Sequence, residues 1–355
     1  MISLHSKVLT RRIVYYSPIT GFLRFVLILT ASALLLDSGR AQAWSWKAHV
    51  AMAEVLYQSL PLDLQKQFDA DAESLFEVHQ GFAKKLSKSY PGRSAFVRSA
   101  VIPDLAKRQS LRGLAERSSI EARDLKMPAF LMRHATRDYH YQNTPHALSL
   151  LSRLGVCFSI AEGRLDDALL AFSEAYVSEQ SLASSDSTVA TENGLSIPVK
   201  RAEQRQAALK RAFIVHLLQD AAQPLHQYTS VTNLCKHDRG GNDTCFKRKK
   251  SSSECSKNLH ERWDYVSPKT LASWKKQALA KLIPFDKSTA KSFESETELI
   301  ANALAQFESE SFPIVRAIYG AGIGNQRIEK IQAKAMLKAS SVLQHFFIET
   351  HNNAI

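Results

Sequence analysis

Asp220 follows an almost unbroken apolar run, Phe213-Ile214-Val215-His216-Leu217-Leu218, and any fold of this chain must accommodate that carboxylate. An ionised Asp in such surroundings needs a partner, because a lone buried charge is prohibitively costly. At helical spacing His216 and Asp220 share one face, a turn apart, while Pro224 bends the chain away and presents His226 just beyond. A second segment, His260-Glu-Arg-Trp-Asp264, repeats the His and Asp spacing. A lone pair of this kind is more often an orienting hydrogen bond or a surface ion pair. Two pairs together with His226, the first of them in apolar surroundings, favour a cation, and these are donors that zinc accepts.

The rest of the pattern is helical. Val50, Ala53 and Leu56, then Leu209, Ala212, Phe213 and Leu217, then Leu299, Ala303 and Phe307, then Ile328, Ile331, Ala335 and Val342 form stripes of helical period. Strand-like alternation is hard to find. We therefore expect a mainly α, single-domain fold over residues 44–355, with a Ser- and Thr-rich surface loop at 182–199 and a Cys-, Lys- and Gly-rich excursion at 229–257.

Residues 1–43 read as a signal peptide: a basic stretch with Lys7, Arg11, Arg12 and Arg24, an apolar run over 25–36, and Ala41-Gln42-Ala43 as an A-x-A cleavage site. The run is shorter than the roughly 20 residues of a membrane-spanning helix, so the mature protein is expected to be secreted or periplasmic, without a membrane anchor, and monomeric. The formal charge of +12 stays clearly basic after that segment is removed, which suits a polyanionic partner. Cys157, Cys235, Cys245 and Cys255 would enter an oxidising compartment, where a disulfide is expected; four cysteines allow three pairings and the sequence does not choose among them.

Further candidates lie upstream: Trp44 and His49 at the new N-terminus, Asp104 in Val-Ile-Pro-Asp104-Leu-Ala-Lys107, and His140 in Tyr-His140-Tyr-Gln-Asn-Thr-Pro145. Singly these are poor signals: a core histidine, a helix cap and a satisfied buried histidine explain them as well. In order, Trp44 with His49 five later, Pro-Asp-x-x-Lys, His-Tyr-x-Asn-x-Pro, His-x3-Asp-x5-His, Asp238-Arg-Gly-Gly-Asn242 and Asn258-Leu-His-x3-Asp264 resemble the zinc-dependent single-strand-specific nucleases and 3′-nucleotidases of fungi, plants and bacteria. The related zinc phospholipases C share their fold.

The resemblance implies a helical fold of that type around three zinc ions. One zinc would take Asp104, His140, His216 and Asp220; a close second the free amine and carbonyl of Trp44, with His49 and a bridging Asp220; a third His226, His260 and Asp264. The precursor has an amide nitrogen at Trp44, so the site is complete only after processing. A water shared by the close pair of zincs would attack phosphorus, with Asp104 helping to orient it and Lys107 offsetting charge in the transition state, and the products would carry 5′-phosphates. The substrates would be single-stranded DNA, RNA and mononucleotides. Tyr141 would stack on an unpaired base, Asn143 would read its edge, and Asn242 would face the substrate. An aromatic in the core and asparagines that merely shape turns are equally good readings of these three. Asn stands at 143 where many fungal members carry Asp, which implies a different base preference. Lys247-Arg248-Lys249-Lys250 is read first as a solvated loop, and His79, His134, His146, His237 and His345 are left without a role.

Two other functions compete. Zinc phospholipase C activity is opposed by Asp264, where that branch is expected to have Glu, and by the short spacing from Trp44 to His49. A non-catalytic zinc-binding protein would need neither Lys107 nor ligand sets with room for water and substrate.

Overall fold

The computed structural model describes residues 44–147, 163–186, 197–231, 237–248, 255–282, 295–320 and 323–354. In chain order, α1 (Trp46–Ser59), α2 (Leu62–Val78) and α3 (Gln80–Ser89) are followed by four short helices, α4 (Ala95–Ser99), α5 (Ile102–Ala106), α6 (Leu111–Arg117) and α7 (Ala129–Arg133). A 3-10 turn at Thr136–His140 leads to strand β1 (Thr144–Ala147). Two long helices, α8 (Leu165–Asp186) and α9 (Ile197–Ala221), run through one-turn α10 (Pro224–Gln227) into β2 (Tyr228–Val231). Strands β3 (Cys245–Arg248) and β4 (Cys255–Asn258) precede α11 (Leu259–Asp264), and α12 (Pro268–Leu282), α13 (Glu296–Gly320) and α14 (Asn325–Asn353) complete the described chain. The fold is mainly α, as the helical stripes imply.

Helix α9 is the organising element. Every residue from 208 to 231 is buried, and α1, α2, α4, α5, α8, α13 and α14 all pack against it. In this buried stretch Phe213, Ile214, Val215, Leu217 and Leu218 surround His216 and Asp220, which therefore share no face with solvent. Buried Arg211 on the same helix is held by Asp71 of α2, which accepts from Nη2, by the Tyr176 hydroxyl at 3.3 Å, and by the Phe68 ring 4.2 Å beneath the guanidinium. Removing one partner of such a pair strands a buried charge. Asp71→Ala is therefore expected to destabilise the protein by about 3–5 kcal/mol in denaturant unfolding; a loss within experimental error would show that α2 and α9 are held by apolar packing alone.

Three local features depart from the sequence reading. Helix occupies both ends of the expected loop at 182–199, because α8 continues to Asp186 and α9 begins at Ile197. A few serines each cost a helix only tenths of a kcal/mol, and Pro198 sits in the first turn of α9, where its missing N–H is harmless. Residues 187–196 lie outside the described residues.

Second, β1 and β2 pair in parallel, Thr144 opposite Tyr228 through Ala147 opposite Val231, and so tie the His140 segment to the His226 segment. Four-residue strands carry too little periodicity to be read from sequence. Third, the excursion contains the antiparallel β3–β4 ribbon, closed by a Cys245–Cys255 disulfide. Cys157 and Cys235 lie outside the described residues.

Candidate functional site

Six elements deliver the eight imidazole and carboxylate candidates to one buried cluster. His49 comes from α1, Asp104 from α5, His140 from the end of the 3-10 turn, His216 and Asp220 from α9, His226 from α10, and His260 with Asp264 from α11. Asp220 is at the centre. Its Oδ1 lies 3.4 Å from His49 Nε2 and 3.8 Å from His226 Nδ1, while Oδ2 lies 2.8 Å from His140 Nδ1 and 3.3 Å from His216 Nε2. Asp104 Oδ1 is 3.7 Å from His216 and 3.9 Å from His140. On the far side the His226 and His260 rings stack with centroids 5.0 Å apart, and His260 Nε2 is 3.4 Å from Asp264. Three groupings have ligand atoms close enough for one ion each: His49 with His216 and Asp220, Asp104 with His140 and His216, and His226 with His260 and Asp264.

The ring orientations are set by neighbours. The Nδ1 of His216 donates to the Ala100 carbonyl at 2.7 Å, that of His260 to the Gly240 carbonyl at 2.7 Å, and that of His226 to the His140 carbonyl. A histidine that spends Nδ1–H on an acceptor presents a bare Nε2, the arrangement found around ligating imidazoles. Gly240 is needed for its part of this. Its φ is +62°, and a Cβ there would stand 2.3 Å from the Leu225 carbonyl oxygen, so only glycine brings that carbonyl to His260. Asn258 starts α11 with a reciprocal capping box: its Oδ1 accepts from Glu261 N at 2.7 Å, and Glu261 accepts from Asn258 N at 3.2 Å. Gln223 donates to Asp264 Oδ1 at 2.9 Å. Of these supporting groups only Gly240 and Asn258 stand in the motifs of the sequence, where neither is given this role; N-x-x-E at 258–261 is a recognisable capping signature.

The atoms that face one another here fit a cation and fit little else. His49 Nε2, Asp104 Oδ2, Asp220 Oδ1, His226 Nε2 and Asp264 Oδ2 are buried, and none makes a hydrogen bond within the described residues. Buried polar atoms are almost always satisfied, and so many exceptions in one place call for a partner. Burial opposes ionisation of Asp220, but His216 and His226 outweigh it and hold the carboxyl well below its ordinary range. Burial likewise opposes ionisation of Asp104, which Lys107 and His216 reverse, holding the carboxyl low. Burial, reinforced by Lys107, pushes His140 down to about 4, and burial pushes His226 down to about 3 although Asp220 opposes it. Burial and then the His216 charge lower His49. For His216, Asp220 and Asp104 overcome burial and raise it. Burial lifts Asp264 well above the ordinary carboxylate range despite the Gln223 hydrogen bond. Ionised Asp104 and Asp220 beside the neutral imidazoles of His49, His140 and His226 are in the protonation states that ligate a metal, while His216 would have to release its proton to do so.

Trp44 is wholly buried, and its indole N–H donates to the Gln219 carbonyl at 2.7 Å. Lys107 Nζ lies 2.6 Å from Asp104 Oδ1 with its side chain 18% exposed. Tyr141 is half-buried and donates to Asp138 at 3.1 Å. Asn143 is buried beside it in the left-handed region, with φ +59°. Asn242 uses its Nδ2 on the Arg239 carbonyl at 2.7 Å and so closes its own turn. Among the unassigned histidines, His79 bonds Ser118 at 2.8 Å and His134 lies 3.8 Å from Asp138; neither joins the cluster.

No curated protein matches this chain. The family model described as S1/P1 Nuclease matches residues 44–345, beginning at Trp44 and spanning all the clustered residues. With a match over most of its length, and a cluster of buried His and Asp inside that match, the chain belongs to the S1/P1 nuclease family, enzymes that hydrolyse nucleic acids.

Proposed function

We propose that the mature chain is an exported, three-zinc phosphodiesterase that cleaves single-stranded DNA and RNA to 5′-phosphorylated products and also acts as a 3′-nucleotidase. The observation that carries this reading is the division of Asp220 between two sets of partners, Oδ1 toward His49 and Oδ2 toward His140 and His216. A carboxylate so placed would serve as a ligand to two neighbouring cations, and a pair of metals can stabilise both the attacking and the leaving oxygen of an in-line displacement. On this reading Asp104, His140, His216 and Asp220 hold one zinc. The Trp44 amine and carbonyl, His49 and Asp220 hold the second, and His226, His260 and Asp264 the third. Zinc in these positions supplies Lewis acidity toward phosphate and lowers the pKa of water toward neutrality.

The chain's own groups do the rest. The Lys107 ammonium, fixed against Asp104 and reaching solvent, sets a positive charge where the phosphate gains negative charge in the transition state. Asp104 orients the attacking water, and Tyr141 and Asn143 offer an unpaired base an aromatic face and an amide next to His140. Asn242 contacts the substrate from the turn it closes. The family match starting directly after Ala41-Gln42-Ala43 supports removal of residues 1–43, and no described helix is long and apolar enough to cross a membrane.

The test is zinc content and hydrolysis on one sample of protein beginning at Trp44. About three zincs per chain, with chelator-sensitive release of nucleotides from single-stranded RNA and DNA, is the expected result. Lipid hydrolysis alone, measured in parallel on phosphatidylcholine, would move the protein to the phospholipase branch, and zinc without either activity would leave a binding protein.

A further inference from the structure

Gln219 stands directly before Asp220 on α9, and its side chain is completely buried. Its Oε1 is 2.6 Å from His49 Nδ1, and its main-chain carbonyl accepts the Trp44 indole N–H at 2.7 Å. One residue of the central helix thus holds both N-terminal groups. Its Nε2 is buried with no hydrogen-bond partner among the described residues. A leucine would fill the same space without stranding an amide, so the amide is not there for packing. What it supplies is an acceptor. The His216 ring stacks on His49 at 3.9 Å with the planes 17° apart, which fixes the plane of the His49 ring. Stacking does not select a tautomer. An acceptor at Nδ1 does, because it keeps the proton there and leaves Nε2 bare, and Nε2 is the atom that faces Asp220 Oδ1 at 3.4 Å.

We propose that Gln219 is a positioning residue for the second metal site: its amide oxygen holds His49 in the Nδ1–H tautomer, and its carbonyl anchors the Trp44 indole, so that the processed N-terminus and His49 reach the same cation. This deepens the metal reading above and rests on it.

Zinc affinity measured by chelator competition, on mature protein beginning at Trp44, tests the proposal. Gln219→Leu is expected to lose about 10- to 100-fold in affinity for one ion, the usual effect of removing the group that orients a ligating histidine. Gln219→Glu, which keeps an acceptor, is expected to stay near the wild type. In a His49→Ala background Gln219→Leu should add nothing further, since the two act through one contact. The metal-free Leu variant loses the acceptor of the buried His49 Nδ1–H together with the stranded Gln219 Nε2, so its melting should change little; a purely structural glutamine would give lowered melting with unchanged affinity. Wild-type affinity for every ion in Gln219→Leu overturns the proposal alone, whereas a wild type that binds no zinc overturns the metal reading beneath it. Should the Leu variant not fold, nitrogen NMR of the His49 ring in wild-type protein decides, with a protonated Nδ1 expected and a protonated Nε2 overturning the proposal.

Discussion

Asp220→Leu is expected to lower hydrolysis of single-stranded RNA by about 10³-fold or more, because a metal pair contributes several kcal/mol to the transition state and each 1.36 kcal/mol is tenfold in rate. Among the described residues Asp220 is the one carboxylate whose two oxygens face different imidazole sets, so on the proposed reading its loss would remove a donor from both sites of the close pair at once. Leu restores the apolar continuity of α9 and leaves no uncompensated charge, so the metal-free protein should remain folded. The stabilisation of the protein by zinc should shrink with it, since binding to the native state is what raises the melting temperature. Parallel assays of hydrolysis and of melting with and without chelator would check both. Activity above a tenth of the wild type would mean that Asp220 does not bridge.

A single residue added in front of Trp44 should be almost as damaging as keeping residues 1–43. Either converts the free amine to an amide, which has no lone pair to give a cation, while the indole stays anchored at the Gln219 carbonyl. The expected loss is about 10²-fold or more, the scale of removing one preorganised stabiliser of the transition state, with about one zinc fewer per chain. Comparing protein released by a protease that leaves Trp44 first with protein carrying one extra glycine isolates the amine from every other change. Equal activity in the two would remove Trp44 from the site, and with it the reason for coupling activity to export. Mass analysis of the exported protein should find Trp44 as its first residue.

These predictions differ in how far the sequence alone supports them. Asp220 was legible because a carboxylate in an apolar run is a thermodynamic anomaly, and the i, i+4 spacing to His216 names its nearest neighbour without any structure. His260 and Asp264 were legible for the same reason of spacing. His49, Asp104 and His140 were not: each is an ordinary residue in its own segment, and only the order of the motifs singled them out. Gln219, Gln223 and Ala100 gave no signal at all, and Gly240 was marked only as part of Asp238-Arg-Gly-Gly-Asn242. Ala100 and Gly240, and Gln219 toward Trp44, act through main-chain carbonyls, which every residue possesses, and whether a carbonyl meets a distant ring N–H depends on packing. The glutamines act across 170 and 41 residues of chain, to His49 and to Asp264.

By itself, then, the sequence determined the helical class and the two His–Asp pairs, because a period of 3.6 residues and the cost of burying charge are local properties of a chain. The tertiary structure decided the rest. It alone set the parallel pairing of β1 with β2, the Cys245–Cys255 pairing, the ring orientations of the clustered histidines, and the convergence of six elements on one cluster around Asp220. The physical reason is that these depend on which distant surfaces exclude water together. Once residues 208–221 of α9 are buried on every side, each donor other than His216 that reaches Asp220 must arrive from another element, and no local pattern records which one will.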